Sequence, residues 1–317
     1  MIWIIGTGGM AVDYVSVLSY LKITDFKVVG RGEESAAIFK SKTNISPLTG
    51  GLKKVLQESE VYPEFAIVAV GVEALEEVVV TLLTSGCKKI LLEKPGAITT
   101  QGLNRIKEIA DKHSSEVYIA YNRRFYSSVM ELKKRILEEL PLRSFQFEFT
   151  EWSHRIKDVK KPDIVKENWF IANSTHVVDL AFYLGGSPII MNSLISGESG
   201  WHKPGSIFTG SGKSESGALF SYIADWEAPG RWGVEINTSK SKYILRPLEK
   251  LFRQEIGSLS SVEVEIDYSE EMTMKPGLLR QVKAFLGESK NNDLCTLDSH
   301  IKNFYWYEKM VQQTNEN

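Results

Sequence analysis

Over roughly the first 120 residues, short and nearly continuous apolar runs alternate with stretches in which apolar residues recur every third or fourth position. The runs Ile2-Ile5, Lys27-Val29, Ala66-Val70, Lys89-Leu92 and Val117-Ala120 are rich in β-branched residues, as strands buried on both faces should be. Between them, Val12, Val15, Leu18 and Leu21 keep helical spacing, and Leu75, Val78, Val79 and Leu82 follow the i, i+3, i+4, i+7 rule. Alternating strands and helices predict a parallel, doubly wound sheet with right-handed crossovers.

The pattern then changes. After a charged helix over about Ser127 to Glu139, the stretch Phe145 to Trp152 alternates apolar and polar residues, the signature of a half-exposed antiparallel strand. Further strand-like segments are Ala218-Tyr222, Gly233-Thr238, Tyr243-Arg246 and Val262-Ile266, with turn-forming runs at Gly210-Ser211-Gly212-Lys213 and Ala228-Pro229-Gly230. The expected fold is α/β: an N-terminal Rossmann-type domain over residues 1–122, then an α+β domain over 123–317 with a large, mostly antiparallel sheet. One face of that sheet should be covered by helices and the other open to a partner. The last helix, about 297–311, is expected to pack back near the domain junction, ahead of a polar tail from Gln312 to Asn317.

Composition narrows the function. Hydrophobic residues make up 43% and charged residues 25%, and 38 basic against 40 acidic residues give a net charge of −2. Nothing there favours nucleic acid or an anionic membrane as partner. No apolar run is long enough to span a bilayer. The chain opens on a strand rather than a basic and apolar leader, and Cys87 and Cys295 form neither a metal-spaced pair nor a disulfide framework. A cytoplasmic protein is expected. The sequence contains no metal-spaced cluster, no Gly-x-Ser-x-Gly elbow, no repeat and no heptad seam.

Two stretches carry chemistry. Gly6-Thr7-Gly8-Gly9-Met10-Ala11 fits G-x-G-x-x-(G/A) between a strand and a helix. Gly6 permits the tight turn, Gly8 lets the backbone approach a pyrophosphate, and Ala11 keeps the helix close to the sheet. A tight turn without a ligand also needs glycines, but the strand–turn–helix context favours a dinucleotide. At the end of the second strand, where an NAD site normally has an acid, the chain has Gly30 followed by Arg31. A small residue followed by a guanidinium suits a 2′-phosphate, so NADP(H) is favoured and NAD(H) remains possible. The bland alternative is a solvated Arg31, with Glu33 starting the next helix. The second stretch is Ile90-Leu91-Leu92-Glu93-Lys94-Pro95, where a strand runs out into an acid, a lysine and a proline. Ligands of open α/β sheets sit past the carboxyl ends of the strands. From spacing alone, Lys94 is either an acid/base group beside a cofactor or an exposed lysine.

The glycine turn together with Glu93-Lys94-Pro95 resembles the Gfo/Idh/MocA family of nicotinamide-dependent oxidoreductases over nearly the whole chain. The resemblance implies a catalytic Lys94, a Glu93 that shapes the nicotinamide pocket and a Pro95 that fixes the turn. Thr7, Gly9, Met10 and Val70 join the implied cofactor contacts. Asn173-Ser174-Thr175-His176-Val177-Val178-Asp179 resembles the family's helix with an acid/base histidine followed three residues later by aspartate. It implies a catalytic or substrate-contacting His176, with Asn173 and Asp179 as substrate contacts; Asn173 or Ser174 also suits the helix cap, and Asp179 either orients the ring or faces another helix. Asn122-Arg123-Arg124-Phe125 resembles the family's Arg-Arg-Phe segment at the domain junction, where Arg123 serves either a substrate or an interdomain ion pair. Tyr121 is expected in the same cleft. Trp152, His154, Arg155, Trp169 and Phe170 suit a sugar's apolar face and hydroxyls, and equally a core edge. There are two departures. Ala172 stands where many members carry an aspartate, and Val70-Gly71-Val72-Glu73 lacks the Thr-Pro-Asn-x-x-His stretch.

The expected protein is therefore an NAD(P)-dependent oxidoreductase acting on a secondary carbinol or carbonyl of a sugar, polyol or nucleotide sugar held between Lys94 and His176. It should form a homo-oligomer, dimer or tetramer, through the C-terminal sheet. The rivals are a reductase of a non-sugar acceptor and a dinucleotide-binding sensor or scaffold that has lost catalysis.

Overall fold

A computed structural model describes residues 1–289 and 293–312, so most of the polar tail read from the sequence lies outside the described residues. The chain divides into two compact units, Met1–Asn122 with Met272–Ile301, and Arg123–Glu271 with Lys302–Asn317. A single domain running from 123 to the end is thus interrupted, because Met272–Ile301 folds with the first unit.

In the first unit, β1 (Ile2–Ile5), β2 (Phe26–Val29), β3 (Phe65–Val68), β4 (Lys89–Leu92) and β5 (Glu116–Ile119) form a parallel sheet in the order β5-β4-β3-β1-β2. Cys295–Thr296 adds an antiparallel edge beside β5. These strands form where the apolar runs lie: Ile2 to Ile5 and Ile90 to Leu92 are buried throughout, which only a sheet covered on both faces allows. Register does the positioning. Ile5 pairs with Val29 and Val68, Val68 with Leu92, and Leu92 with Ile119. All five parallel strands therefore end level, and the turns that follow them share one edge. The chain order reverses at β1, the switch point where such sheets bind ligands.

The second unit carries an eight-stranded sheet built from β6 (Ser144–Glu148), β7 (Pro188–Ser196), β8 (Ile207–Ser214), β9 (Leu219–Asp225), β10 (Gly233–Asn237), β11 (Ser241–Leu245), β12 (Phe252–Glu255) and β13 (Val262–Glu263). Its order is β13-β12-β11-β10-β6-β9-β8-β7, with β6 and β9 parallel and the other neighbours antiparallel. Phe145, Phe147, Phe220, Tyr222, Val234 and Ile236 fill the inner face. The helix Thr175–Gly185 lies on it, so close that a Cβ on Gly185 would meet the Phe145 ring at 2.4 Å. The outer face leaves Ile190, Leu194, Leu219 and Ile223 more than half exposed.

Two expectations change here. Gly210-Ser211-Gly212-Lys213 is strand, not turn. Its glycines serve packing: a Cβ on Gly212 would lie 2.1 Å from the Ile190 carbonyl oxygen, and one on Gly210 would lie 2.4 Å from the Tyr222 ring. The strand-like run Val262-Ile266 shortens to Val262–Glu263.

Candidate active site

At the shared edge of the parallel sheet, β1 runs into Gly6 with φ +126°, and a Cβ there would lie 2.2 Å from the Ala69 carbonyl oxygen. Only glycine lets the turn after β1 lie this close to the chain after β3. Gly8 and Gly9 differ: a Cβ on either meets nothing within 4 Å, so their exposed backbone borders open space. The helix α1 (Gly9–Tyr20) starts there with no side-chain cap and no acid in its first turn. Its first N–H groups and dipole thus face that space without a built-in acceptor, the arrangement that receives a phosphate. These residues fit a dinucleotide. Met10 and Val70 flank the turn, both partly exposed.

At the end of β2, a Cβ on Gly30 would lie 2.8 Å from the Thr7 methyl, so an acid at this position would displace Thr7. Thr7 Oγ1 donates to Ser35 Oγ at 3.1 Å, and Ser35 Oγ donates to the Gly32 carbonyl at 3.0 Å. Glu33 and Glu34 occupy the first turn of α2 (Glu33–Thr43). Arg31 is exposed, and no carboxylate pairs with its guanidinium among the described residues.

After β4, the Glu93-Lys94-Pro95 turn is held from both sides. Tyr14 of α1 donates its hydroxyl to Glu93 Oε1 at 2.8 Å. Burial raises the Glu93 pKa, while the Tyr14 hydrogen bond and the charges of Lys94 and Lys275 pull the other way. Burial, reinforced by Glu93, pushes the Tyr14 phenol well up. Behind the turn, fully buried His300 donates from Nε2 to the Pro95 carbonyl at 2.9 Å. Lys94, partly exposed, thus stands on a turn anchored by a tyrosine and a histidine. Lys275 reaches Asp13 Oδ2 at 3.2 Å and contacts Met10 at the start of α1. Tyr121, expected in a cleft, is instead 1% exposed, with its ring 5.6 Å from that of His300, because the chain after β5 is covered by the returning segment.

The second unit brings another group together. Beyond β6 the chain continues to Glu151, whose carboxylate is 2% exposed. Its Oε1 accepts from Asn173 Nδ2 and Ser174 Oγ, both at 2.8 Å, and its Oε2 accepts from Arg231 Nη1 at 3.0 Å. Burial raises the Glu151 pKa against the pull of these donors. The donors come from a π-helical turn, Phe170–Ser174, that runs directly into the helix Thr175–Gly185. Ser174 consequently has helical backbone angles and makes no cap, since its hydroxyl is committed to Glu151. π-turns of this kind recur at functional sites. His176 follows, 9% exposed, with its ring centroid 6.1 Å from Trp232. Two guanidinium groups lie against that indole, Arg123 at 4.8 Å and Arg231 at 4.6 Å. Arg231 also meets Trp152 at 4.9 Å.

The structure thus groups His176, Asn173 and Arg123 around Trp232 and Glu151. Asp179 goes elsewhere. It is 1% exposed, and both of its oxygens accept from Arg124, at 2.8 and 2.6 Å, so the buried ion pair replaces the expected substrate contact. Trp169 packs edge-on to Trp201 at 6.1 Å, within an aromatic group that continues to Trp226, while Phe170 lies in the core against Phe149. Glu151, Arg231, Trp232, Tyr14, His300 and Lys275 escape sequence reasoning. Only Glu151 and Trp152 carried a signal, as polar and aromatic residues at the end of an alternating strand. Among the described residues no group of three or more His, Cys, Asp or Glu could hold a metal, and no helix is long and apolar enough to cross a membrane.

A parallel sheet with an open glycine turn at its switch point is a Rossmann fold, and comparison with known proteins agrees. Residues 1–121 match the model of the Gfo/Idh/MocA family, described as an oxidoreductase family with an NAD-binding Rossmann fold. No curated protein sequence matches the chain. Among solved structures, levoglucosan dehydrogenase in complex with NADH is 16% identical with a TM-score of 0.78, covering 98% of this chain and 95% of that one. The WlbA dehydrogenase from Chromobacterium violaceum, in complex with NADH and UDP-GlcNAcA, is 14% identical with a TM-score of 0.75, covering 98% and 92%. A putative NADPH-dependent oxidoreductase from Desulfitobacterium hafniense is 17% identical with a TM-score of 0.77, covering 98% and 94%. At such identities these likenesses establish the fold alone.

Proposed function

We propose that the protein is an NAD(P)-dependent dehydrogenase or reductase acting on a secondary carbinol or carbonyl of a sugar, polyol or nucleotide sugar. The observation that carries this reading is the registered sheet edge. It sets an open, uncapped glycine turn and an anchored Glu93-Lys94-Pro95 turn on the same side of one parallel sheet. Sugar and nucleotide-sugar dehydrogenases among the structural neighbours support the substrate class.

In this reading Gly6, Thr7, Gly8, Gly9, Met10 and Val70 hold the dinucleotide, and a bound nicotinamide supplies the hydride chemistry. Lys94 takes the hydroxyl proton during oxidation, or returns it to the carbonyl oxygen during reduction. Glu93, fixed by Tyr14, orients the turn that carries Lys94. His176, Asn173 and Arg123 contact the substrate, with Trp169 at the margin. NADP(H) is favoured over NAD(H), because Gly30 leaves no acid for a ribose hydroxyl and exposed Arg31, with no ion pair among the described residues, offers a cation after β2. Residues 1–122 act as the dinucleotide domain, and the second unit recognises the substrate. The exposed apolar strip Ile190, Leu194, Leu219 and Ile223 supports self-association through the sheet, and two buried free cysteines support a cytoplasmic setting.

The test is Lys94→Ala. Turnover should fall by about 10²–10⁴-fold while cofactor affinity stays within a factor of about two. Ala172 gives specific support to a second reading, a dinucleotide-binding sensor, since the expected carboxylate is missing there. Tight NADPH binding with no turnover across a broad polyol and sugar panel would favour that reading.

A further inference from the structure

The Trp232 cluster in the second unit is out of balance in charge. Arg123 and Arg231 lie on the same indole, at 4.8 and 4.6 Å, yet among the described residues Glu151 is the single carboxylate paired with either. Arg231 takes it, at 3.0 Å. Arg123 has neither an ion pair nor a hydrogen bond among the described residues, and Glu249 and Glu151 act on it only at longer range. The Trp232 indole N–H is buried and without an acceptor among the described residues. The Trp232 ring lies 6.1 Å from that of His176, and Arg123 lies against the same indole. Burial pushes the Arg123 guanidinium pKa down, as expected of a partly buried cation with no counter-charge at hand. A guanidinium kept from water without a partner is costly, as is a buried N–H without an acceptor. Both costs vanish when an anionic oxygen enters.

Resting on the oxidoreductase reading, we propose that Arg123 and Trp232 form a subsite for an anionic group of the substrate, a carboxylate or a phosphate, close to the carbon that reacts beside His176. The substrate is then an acidic or phosphorylated sugar rather than a neutral polyol. The planar fork of Arg123 matches two oxygens of such a group. The indole beneath it holds the fork flat and excludes water. Arg231, neutralised by Glu151, adds field without competing for the anion.

Isothermal titration of the full chain with saturating NADP⁺ tests this, using D-glucuronate and D-glucose 6-phosphate against D-glucose. At least one anion should bind 10-fold or more tightly than glucose, and which one does so identifies the group as carboxylate or phosphate. The preference should shrink as salt rises from about 50 to 500 mM. Arg123→Met should cut anion affinity by about 10–100-fold, well beyond any loss in glucose affinity, with Arg123→Lys retaining part of it. The thermal midpoint of Arg123→Met should hold steady or rise, since a cation without a partner is removed. A purely structural arginine would lower it. Equal binding of glucose and both anions, no anion binding, or an anion preference that survives Arg123→Met would overturn the proposal. The oxidoreductase reading fails separately: it falls if anions bind through Arg123 but no NADPH forms with any sugar. It stands, and the subsite falls, if neutral sugars are oxidised as well as acidic ones.

Discussion

Tyr14 and Glu93 offer the sharpest test of how the Lys94 turn is held. Tyr14 is fully buried in the first unit and Glu93 partly so, and a single 2.8 Å bond joins the Tyr14 hydroxyl to Glu93 Oε1. Replacing Tyr14 with Phe keeps the ring and removes only the oxygen, so the loss is that of a hydrogen bond to a carboxylate, about 1.5–3 kcal/mol. For a unit of this size the thermal midpoint should drop by about 3–12 °C. The effect should depend on pH. Burial already raises the Glu93 pKa above its ordinary value, and the Tyr14 bond opposes that rise. With a raised folded pKa, Glu93 contributes stability below the ordinary carboxylate pKa and loses it as pH climbs through the folded value. Without Tyr14 the folded pKa moves further up, so Tyr14→Phe should cost more at pH 8 than at pH 4. The assay is chemical denaturation followed by circular dichroism, on Tyr14→Phe, Glu93→Gln and the double variant. Coupling of about 1 kcal/mol or more is expected at pH 8. Additivity within about 0.3–0.5 kcal/mol would refute the contact.

Three further outcomes are expected. Arg31→Ala should reduce a preference for NADPH over NADH by about 1–3 kcal/mol in fluorescence titrations, and equal curves for the two cofactors in the unmodified protein would remove the reasoning. Gly8→Ala should leave stability within about 0.5 kcal/mol, because its Cβ meets nothing within 4 Å, yet weaken dinucleotide binding at least about 10-fold by filling the backbone approach. His202 is 1% exposed, its Nδ1 bonds to the Gly205 carbonyl at 2.9 Å, and burial pushes its pKa down to about 4. Its neutral form therefore adds stability above the ordinary histidine pKa that is lost as pH falls towards 4, up to about 3 kcal/mol. A His202→Gln variant whose denaturation midpoint falls just as steeply between pH 7 and 5 would place that dependence elsewhere.

What the sequence revealed follows from how each element is buried. β1 and β4 are sealed on both faces, so their apolar runs are continuous and easily read, and the turns that follow them carry their chemistry in consecutive residues. β7 gives no such signal, because Ile190 and Leu194 face outward and its alternation lacks a buried partner set. β8 misleads. Its glycines look like a turn, yet they are small because Tyr222, Phe220 and the β7 backbone crowd them, which is visible only once the strands are paired. The supports of the site are equally hidden. His300 and Lys275 lie in the segment that returns to the first unit, far along the chain from Pro95 and Asp13, and no local pattern marks a side chain whose partner is so remote.

Ala172 and Glu151 show how a gap in a motif and a buried charge bear on each other. The family resemblance leads to an aspartate at 172, on the turn before His176, and there the chain has a methyl group 5% exposed. A buried carboxylate is nevertheless present, entering from the end of β6. Its three polar contacts are not spare capacity for catalysis. Asn173 and Ser174 tie it to the π-helical turn, and Arg231 links it to the indole beside His176. A carboxylate this buried is tolerated because its lone pairs are met, and removing one donor would leave charge without compensation. Glu151 therefore fixes the backbone that carries His176 and holds Arg231 in place, while Arg123 is left as the cation with a free face. Glu151 thus serves as a support, and the charge this cluster leaves for a ligand is positive.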